Sequence, residues 1–312
     1  MNTLILSHRD CLAHDMGPGH PERPDRTRVI ERILEHERFQ ALIREAAPQG
    51  TREQILRVHP DRHWQRLQEL SPHQGLAQID GDTAMSPGTF EAALRSVGGA
   101  CQAVDEVMTR KVDNAFVATR PPGHHCETST PMGFCFFNNA AIAARHAQAV
   151  HGAERVAIMD FDVHHGNGTQ EIFWNDPNVL YASTHEMPLY PGTGALNEMG
   201  EHKNIVNAPL SAGDDGVNFK QAMNTRVLPA IEAFSPDLII ISAGFDAHAR
   251  DPLANLNLVE SDFAWATGKL MDLAEKKAQG RLISVLEGGY DLDGLARSVA
   301  AHVMMLSGMA SR

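Results

Sequence analysis

The sequence predicts an α/β fold with a parallel sheet, on two observations. Short apolar, β-branched runs recur along the chain and are continuous rather than alternating, as strands are when helices cover both faces of a sheet. Between them lie helix-length segments with apolar residues at three-to-four spacing, and that succession makes parallel β-α-β units. In order, strands are expected over 4–6, 115–118, 156–159, 179–182, 238–241 and 282–286. Helices are expected over 90–109, 138–149, 219–234, 262–278 and 292–306. No repeat, low-complexity tract or long Pro/Gly/Ser linker interrupts the series, so a single domain over 1–312 is expected.

Composition narrows the function classes. The 312 residues are 43% hydrophobic and 21% charged, an ordinary globular balance. Lys and Arg number 27 against 39 Asp and Glu, so the net charge is 27 − 39 = −12. That argues against a nucleic-acid binder, which usually carries a basic face, and favours cationic partners only weakly. The four cysteines, Cys11, Cys101, Cys126 and Cys135, form no CxxC pair and are expected as free thiols in a reducing compartment. The start, MNTLILSHRDC, reads as a first strand because no basic segment precedes its short apolar stretch. No apolar run approaches the roughly 20 residues of a membrane span, so a cytoplasmic protein without membrane contact is expected.

The segments that follow the strands carry the chemistry. Residues 115–118 run into TRPPGHHC, 156–159 into DFDVHHGNGT, 238–241 into SAGFDAH and 282–286 into EGGY. Ligand sites in open parallel sheets form outside the carboxyl ends of the strands, so these four tails should converge. Asp160, Asp162 and His164 are spaced i, i+2, i+4, which in extended chain places all three on one face. Two carboxylates and an imidazole crowded at a strand end cost several kcal/mol unless protons or a cation neutralise them. Asp246 arrives from a neighbouring strand end, and two carboxylates with one His make a three-ligand zinc set with a fourth position open to water. His124 and His125 follow a Pro-Pro-Gly turn and point in different directions, so each needs its own partner; Asp160 and Asn167 are the candidate acceptors. Tyr290, after two glycines, could donate its hydroxyl to a developing oxyanion.

Taken together, PGHPERPDR, RPPGHHC, DFDVHHGNGTQ, STHEMPLYPGTGA, SAGFDAHARDPL and LEGGYDL resemble the zinc-dependent histone deacetylase and acetylpolyamine amidohydrolase family, nearest its class II branch. The motifs occur in family order from about Pro18 to Tyr290. The resemblance implies the arginase/deacetylase fold, a single domain on an eight-stranded parallel sheet flanked by helices. It implies zinc on Asp162, His164 and Asp246. It makes His125 general base and then acid, with His124, backed by Asp160, as its electrostatic partner, and Tyr290 as oxyanion donor with the metal. Asn167 stands behind His125 where class I relatives carry Asp, which should make His125 less basic. A structural potassium would match Asp160, Asp162, His164, Ser183 and Thr184, and a second one Phe173, Asp176, Val179 and Asn204. Phe134 and Tyr190 would wall a narrow tunnel, with the Gly133 carbonyl accepting the substrate amide; the family usually has Phe where Tyr190 stands.

A two-manganese ureohydrolase on the same fold needs carboxylates where this chain has Gly166 and Gly244. An inactive acyl-lysine binding module is disfavoured because Tyr290, His124 and His125 are all present. Polyamine-selective relatives carry a Glu at the tunnel mouth where Leu253 falls, so protein or peptide acyl-lysine is favoured over acetylpolyamine as substrate. Asp82 is a candidate rim carboxylate for a peptide backbone or an amine. Association into a homo-oligomer is open.

Overall fold

The computed structural model describes residues 1–310. Eight parallel strands form one sheet: β1 (Thr3–Ser7), β2 (Ile43–Ala46), β3 (Asn114–Val117), β4 (Val156–Asp160), β5 (Val179–Glu186), β6 (Ile205–Leu210), β7 (Leu238–Ala243) and β8 (Leu282–Leu286). Their spatial order is β2-β1-β3-β8-β7-β4-β5-β6. Alternate residues of the inner strands enter opposite cores, as a pleat requires. Ile239 and Ile241 pack with helices Asp25–Leu34, Glu260–Lys277 and Leu292–Leu306 on one face. Leu238 and Ile240 pack with Thr89–Met108 and Asn139–His151 on the other. The sheet is therefore covered on both sides, which is why its strands read as continuous apolar runs. Among the described residues no helix is long and apolar enough to cross a membrane.

All six anticipated strands are present within a few residues of their expected bounds; β5 continues further, to Glu186. The two edge strands were missed. In β2, IREA offers one large apolar residue and is mostly exposed. In β6, IVNAPL contains a proline, which only an edge strand tolerates without losing a ladder bond. The expected helix over 219–234 is Gly216–Ala222 and Leu228–Phe234 joined by a π-turn at Met223–Val227. Helices Asp25–Leu34, Asp61–Leu70 and Asn167–Phe173 were also missed, since Arg, Glu and Gln dilute the apolar stripe of the first two and the third is short. All four cysteines are free and buried.

Many histidines serve the core rather than chemistry. His302 is fully buried between Thr267 Oγ1 (2.7 Å) and Ser284 Oγ (2.9 Å). Burial lowers its pKa to about 3, and burial first, then neighbouring imidazoles, lowers His59 to about 3 and His165 to about 2. Burial likewise brings His185 to about 4. Each is neutral when folded and takes up a proton near pH 6.5 when unfolded, so the unfolded chain binds more protons between these values. Their contribution is complete above about pH 6.5 and is lost as the pH falls toward 4. Asp251 and Glu287, raised to about 7 by burial, act in the opposite sense, so the histidine share is read by difference: urea-unfolding midpoints should fall more between about pH 7 and 5 in the wild type than in His302→Asn. An equal fall in the two proteins would contradict this assignment.

Candidate active site

The carboxyl ends of β3, β4, β7 and β8 meet at one crevice, as the strand order requires: β8 lies between β3 and β7, and β7 pairs with β4. Asp160 closes β4 and the chain then leaves the sheet, carrying Asp162 and His164 over its edge. Asp246 follows β7 after Gly244. One ligand atom each from Asp162, His164 and Asp246 lies within 4.8 Å of the others, and the three residues are 1%, 8% and 0% exposed. His164 Nδ1 sits 3.3 Å from Asp162 Oδ1 and 3.2 Å from Asp246 Oδ2.

Backbone amides orient both carboxylates. Asp162 accepts from His164 N (2.9 Å) and Gly288 N (2.8 Å), and Asp246 accepts from Val163 N (2.9 Å). Glycines permit this approach. A Cβ at Gly244 would lie 2.0 Å from Asp162 Oδ2, and one at Gly288 would lie 2.1 Å from Asp246 Oδ2. Two buried carboxylates with an imidazole, held by outer hydrogen bonds, form a donor set that suits a divalent cation. Gly244→Ala should therefore displace Asp162, lower metal content after dialysis, and cost about 1–3 kcal/mol of stability as an overpacked core substitution does. Wild-type metal retention in that variant would count against the donor set.

The adjacent histidines have separate partners. His124 Nδ1 lies 2.9 Å from Asp160 Oδ2, and its Nε2 lies 3.7 Å from Asp162 Oδ2. Burial opposes charge on His124, but the Asp162 and Asp160 carboxylates outweigh it and raise its pKa well above the usual value. Asp160 is held in turn by Tyr181 Oη (3.0 Å) and Asp162 N (3.1 Å). His125 Nδ1 lies 2.9 Å from Asn167 Oδ1, while Asn167 Nδ2 donates to Glu127 Oε1 at 3.0 Å. That second bond fixes the amide orientation, so His125 Nδ1 carries the proton and Nε2 keeps its lone pair. Burial, then the charges of His124 and His164, hold the His125 pKa well below the usual value. The pair is thus split into a cation and a neutral base, the arrangement acid-base chemistry needs.

Above the floor lies a cavity of about 620 Å³, lined by His125, His164, Tyr290, Phe134, Tyr190 and Leu253 among others. Gly133 and Asp82 also face it. Gly133 (φ 56°) and Phe134 (φ 69°) both adopt left-handed backbone, and a Cβ at Gly133 would fall 2.5 Å from the His125 ring. Phe134 N donates to Thr83 Oγ1 (3.0 Å), whose hydroxyl donates to Asp82 (3.0 Å). The Phe134 ring meets Tyr290 edge-on at 5.8 Å, and the Tyr190 ring meets His125 at 5.1 Å. Burial raises the Tyr290 pKa well above the usual value despite Arg26, whose guanidinium carbon is 4.9 Å from its ring, so the phenol keeps its proton.

Of the residues matched to potassium, Asp160 pairs in register with Ser183, and Thr184 follows on β5. At the second set, Asn204 Nδ2 donates to the carbonyls of Phe173 (2.7 Å) and Val179 (3.0 Å), and Asp176 pairs with Arg145 (2.5 Å). Two other clusters of metal-ligating type engage protein groups through most of their candidate donor atoms. His59 engages both ring nitrogens, with Thr128 O (3.0 Å) and Asn138 N (2.9 Å). Arg57 donates to His146 Nδ1 (2.7 Å), which leaves Nε2–H of that ring to bond Asp105.

Several buried ionisable residues were not singled out from the sequence. Glu22, fully buried, pairs with Arg120 (2.5 Å) and Arg26 (2.9 Å), and Arg26 donates to the carbonyls of Gly289 (2.6 Å) and Glu287 (2.5 Å). Asp251 accepts from the backbone of Tyr290 (2.7 Å) and Leu253 (3.0 Å). Glu287 accepts from Gly123, His124 and Ser242. Only Glu287 carried a signal, as a lone charge in the otherwise apolar and glycine-rich VLEGGY.

Comparison with known proteins agrees with this geometry. The histone deacetylase domain family matches residues 20–306. A histone deacetylase-like amidohydrolase of Pseudomonas aeruginosa is 41% identical over 323 residues, covering 96% of this chain and 85% of that protein. A probable deacetylase of Archaeoglobus fulgidus is 40% identical, covering 94% and 83%. The crystal structure of the HDA15 HD domain superposes with a TM-score of 0.93 at 36% identity, covering 98% and 88%. With the shared fold, the domain match and the convergent strand ends, this chain belongs to the histone deacetylase family of hydrolases.

Proposed function

We propose that the chain, as one catalytic domain over 1–312, is a zinc-dependent amidohydrolase. It removes an acetyl or related acyl group from the side-chain amine of lysine in proteins or peptides. The observation that carries this reading is His125, its Nδ1 bonded to Asn167 Oδ1, beside the Asp162, His164 and Asp246 set at the floor of a cavity that Tyr290 also lines. Asp162, His164 and Asp246 would hold zinc, which when bound polarises an acyl carbonyl and acidifies water. Potassium is proposed as a structural ion beside Asp160, Ser183 and Thr184.

The chain's own residues do the rest. Phe134 and Tyr190 flank an extended aliphatic segment, and the Gly133 carbonyl faces its amide. His125 Nε2 takes the proton from a water as the oxygen attacks the acyl carbon. The Tyr290 hydroxyl donates to the oxyanion. His125 then delivers its proton to the departing amine while His124 remains charged against Asp160. Leu253 offers no charge at the mouth, which supports peptide substrates. Asp82 at the same rim is the observation that keeps acetylpolyamine as a second reading.

Acetyl-lysine peptides and acetylated polyamines assayed side by side with one preparation separate the two. A preference of at least about tenfold in kcat/KM for the peptide is expected, about 1.4 kcal/mol of transition-state binding. The reverse preference would replace the lysine reading by the polyamine one.

A further inference from the structure

Glu287 follows the last residue of β8 and is fully buried. Its Oε2 accepts from Gly123 N at 2.7 Å and His124 N at 3.1 Å, and its Oε1 accepts from Ser242 Oγ at 3.0 Å. β3 ends at Val117, and Pro121 and Pro122 lead the chain, already outside the sheet, into Gly123 and His124, whose amides have no ladder partner. A buried amide must be satisfied, and one carboxylate oxygen satisfies both. The same short segment reaches the rest of the site. Gly288 N donates to Asp162, Gly289 O accepts from Arg26, and Tyr290 comes next.

We propose that the Glu287 side chain is a positioning residue that locks the His124–His125 backbone in register with Asp162 and Tyr290. It touches no reacting atom. The side chains of the pair are held by Asp160 and Asn167, which fix ring orientation. The distance of both rings from the metal-ligating set depends on the backbone that carries them, and Glu287 ties that backbone to the segment holding Tyr290. A displacement of about 1 Å in such a group lowers turnover on the order of 100-fold. Reach and hydrogen bonding therefore matter here more than charge.

The proposal rests on the hydrolase reading above, and its test distinguishes the two. Glu287→Gln keeps the length, accepts both amides through one oxygen, and can donate its NH₂ to Ser242 Oγ. Glu287→Asp keeps the carboxyl group but falls short of the amides. Glu287→Ala removes the contact. In holoenzyme with matched metal content, kcat on an acetyl-lysine peptide should fall in the order wild type, Gln, Asp, Ala. Gln should lie within about tenfold of wild type and Ala be lower by on the order of 100-fold, with KM within threefold throughout. If Ala does not fold, the Gln and Asp variants carry the comparison. An Asp variant faster than the Gln variant, a loss confined to KM, or wild-type rates in all three would overturn the proposal. Should the wild type prove inactive, the hydrolase reading fails while ¹⁵N-histidine spectra still decide this one. The His124 and His125 ring signals should move in the Asp variant and stay in the Gln variant, and the opposite result overturns it.

Discussion

Tyr290→Phe will lower kcat by about 10²–10³, the typical cost of removing one oxyanion donor. The phenol is buried, its pKa is raised, and it lines the cavity that also exposes His125 and His164. In the proposed mechanism its hydroxyl hydrogen would meet charge that develops only as the carbonyl becomes tetrahedral. Phenylalanine keeps the ring packing against Phe134 at 5.8 Å and the stack on Arg26, so folding and KM should change little. Steady-state kinetics on an acetyl-lysine peptide would check the split. A Phe variant with wild-type kcat would remove Tyr290 from the reaction, and an equal loss in binding would make it a binding residue only.

Asp162→Ala will abolish stoichiometric metal binding and, with it, turnover. Asp162 is the hub of the floor: it faces His164, accepts Gly288 N and His164 N, and supplies part of the field on His124. Outer partners of a metal ligand cost roughly 10–100-fold when lost, so removing the ligand itself should exceed that range. Metal content after dialysis and kcat/KM should fall together. Asp162→Asn, which retains volume, keeps the test clear of cavity effects. An active Asp162→Ala protein would sink the metal assignment, whereas an inactive one with full metal content would shift the role of Asp162 to the histidines.

Much of this could be read from the linear chain because the informative patterns are local. Six strands were legible as runs of Val, Ile and Leu, since helices on both faces demand continuous apolar side chains. The spacing of Asp160, Asp162 and His164 already implied a shared face, and the polar segments after four strands implied a common crevice. Pairing His124 with Asp160 and His125 with Asn167 was also expected, and the two contacts at 2.9 Å agree.

What the sequence alone determined was therefore the covered parallel sheet and the chemical types gathered at its carboxyl edge. The tertiary structure decided the rest. It showed β2 and β6 as strands, because an edge strand needs neither a full apolar run nor every amide. It also assigned Glu287 to amides 163 and 164 positions away, Asp251 to Tyr290, and Glu22 to Arg120. In sequence these are unremarkable acidic residues. Their partners lie far along the chain, and a buried charge is explained only by the groups that surround it in space.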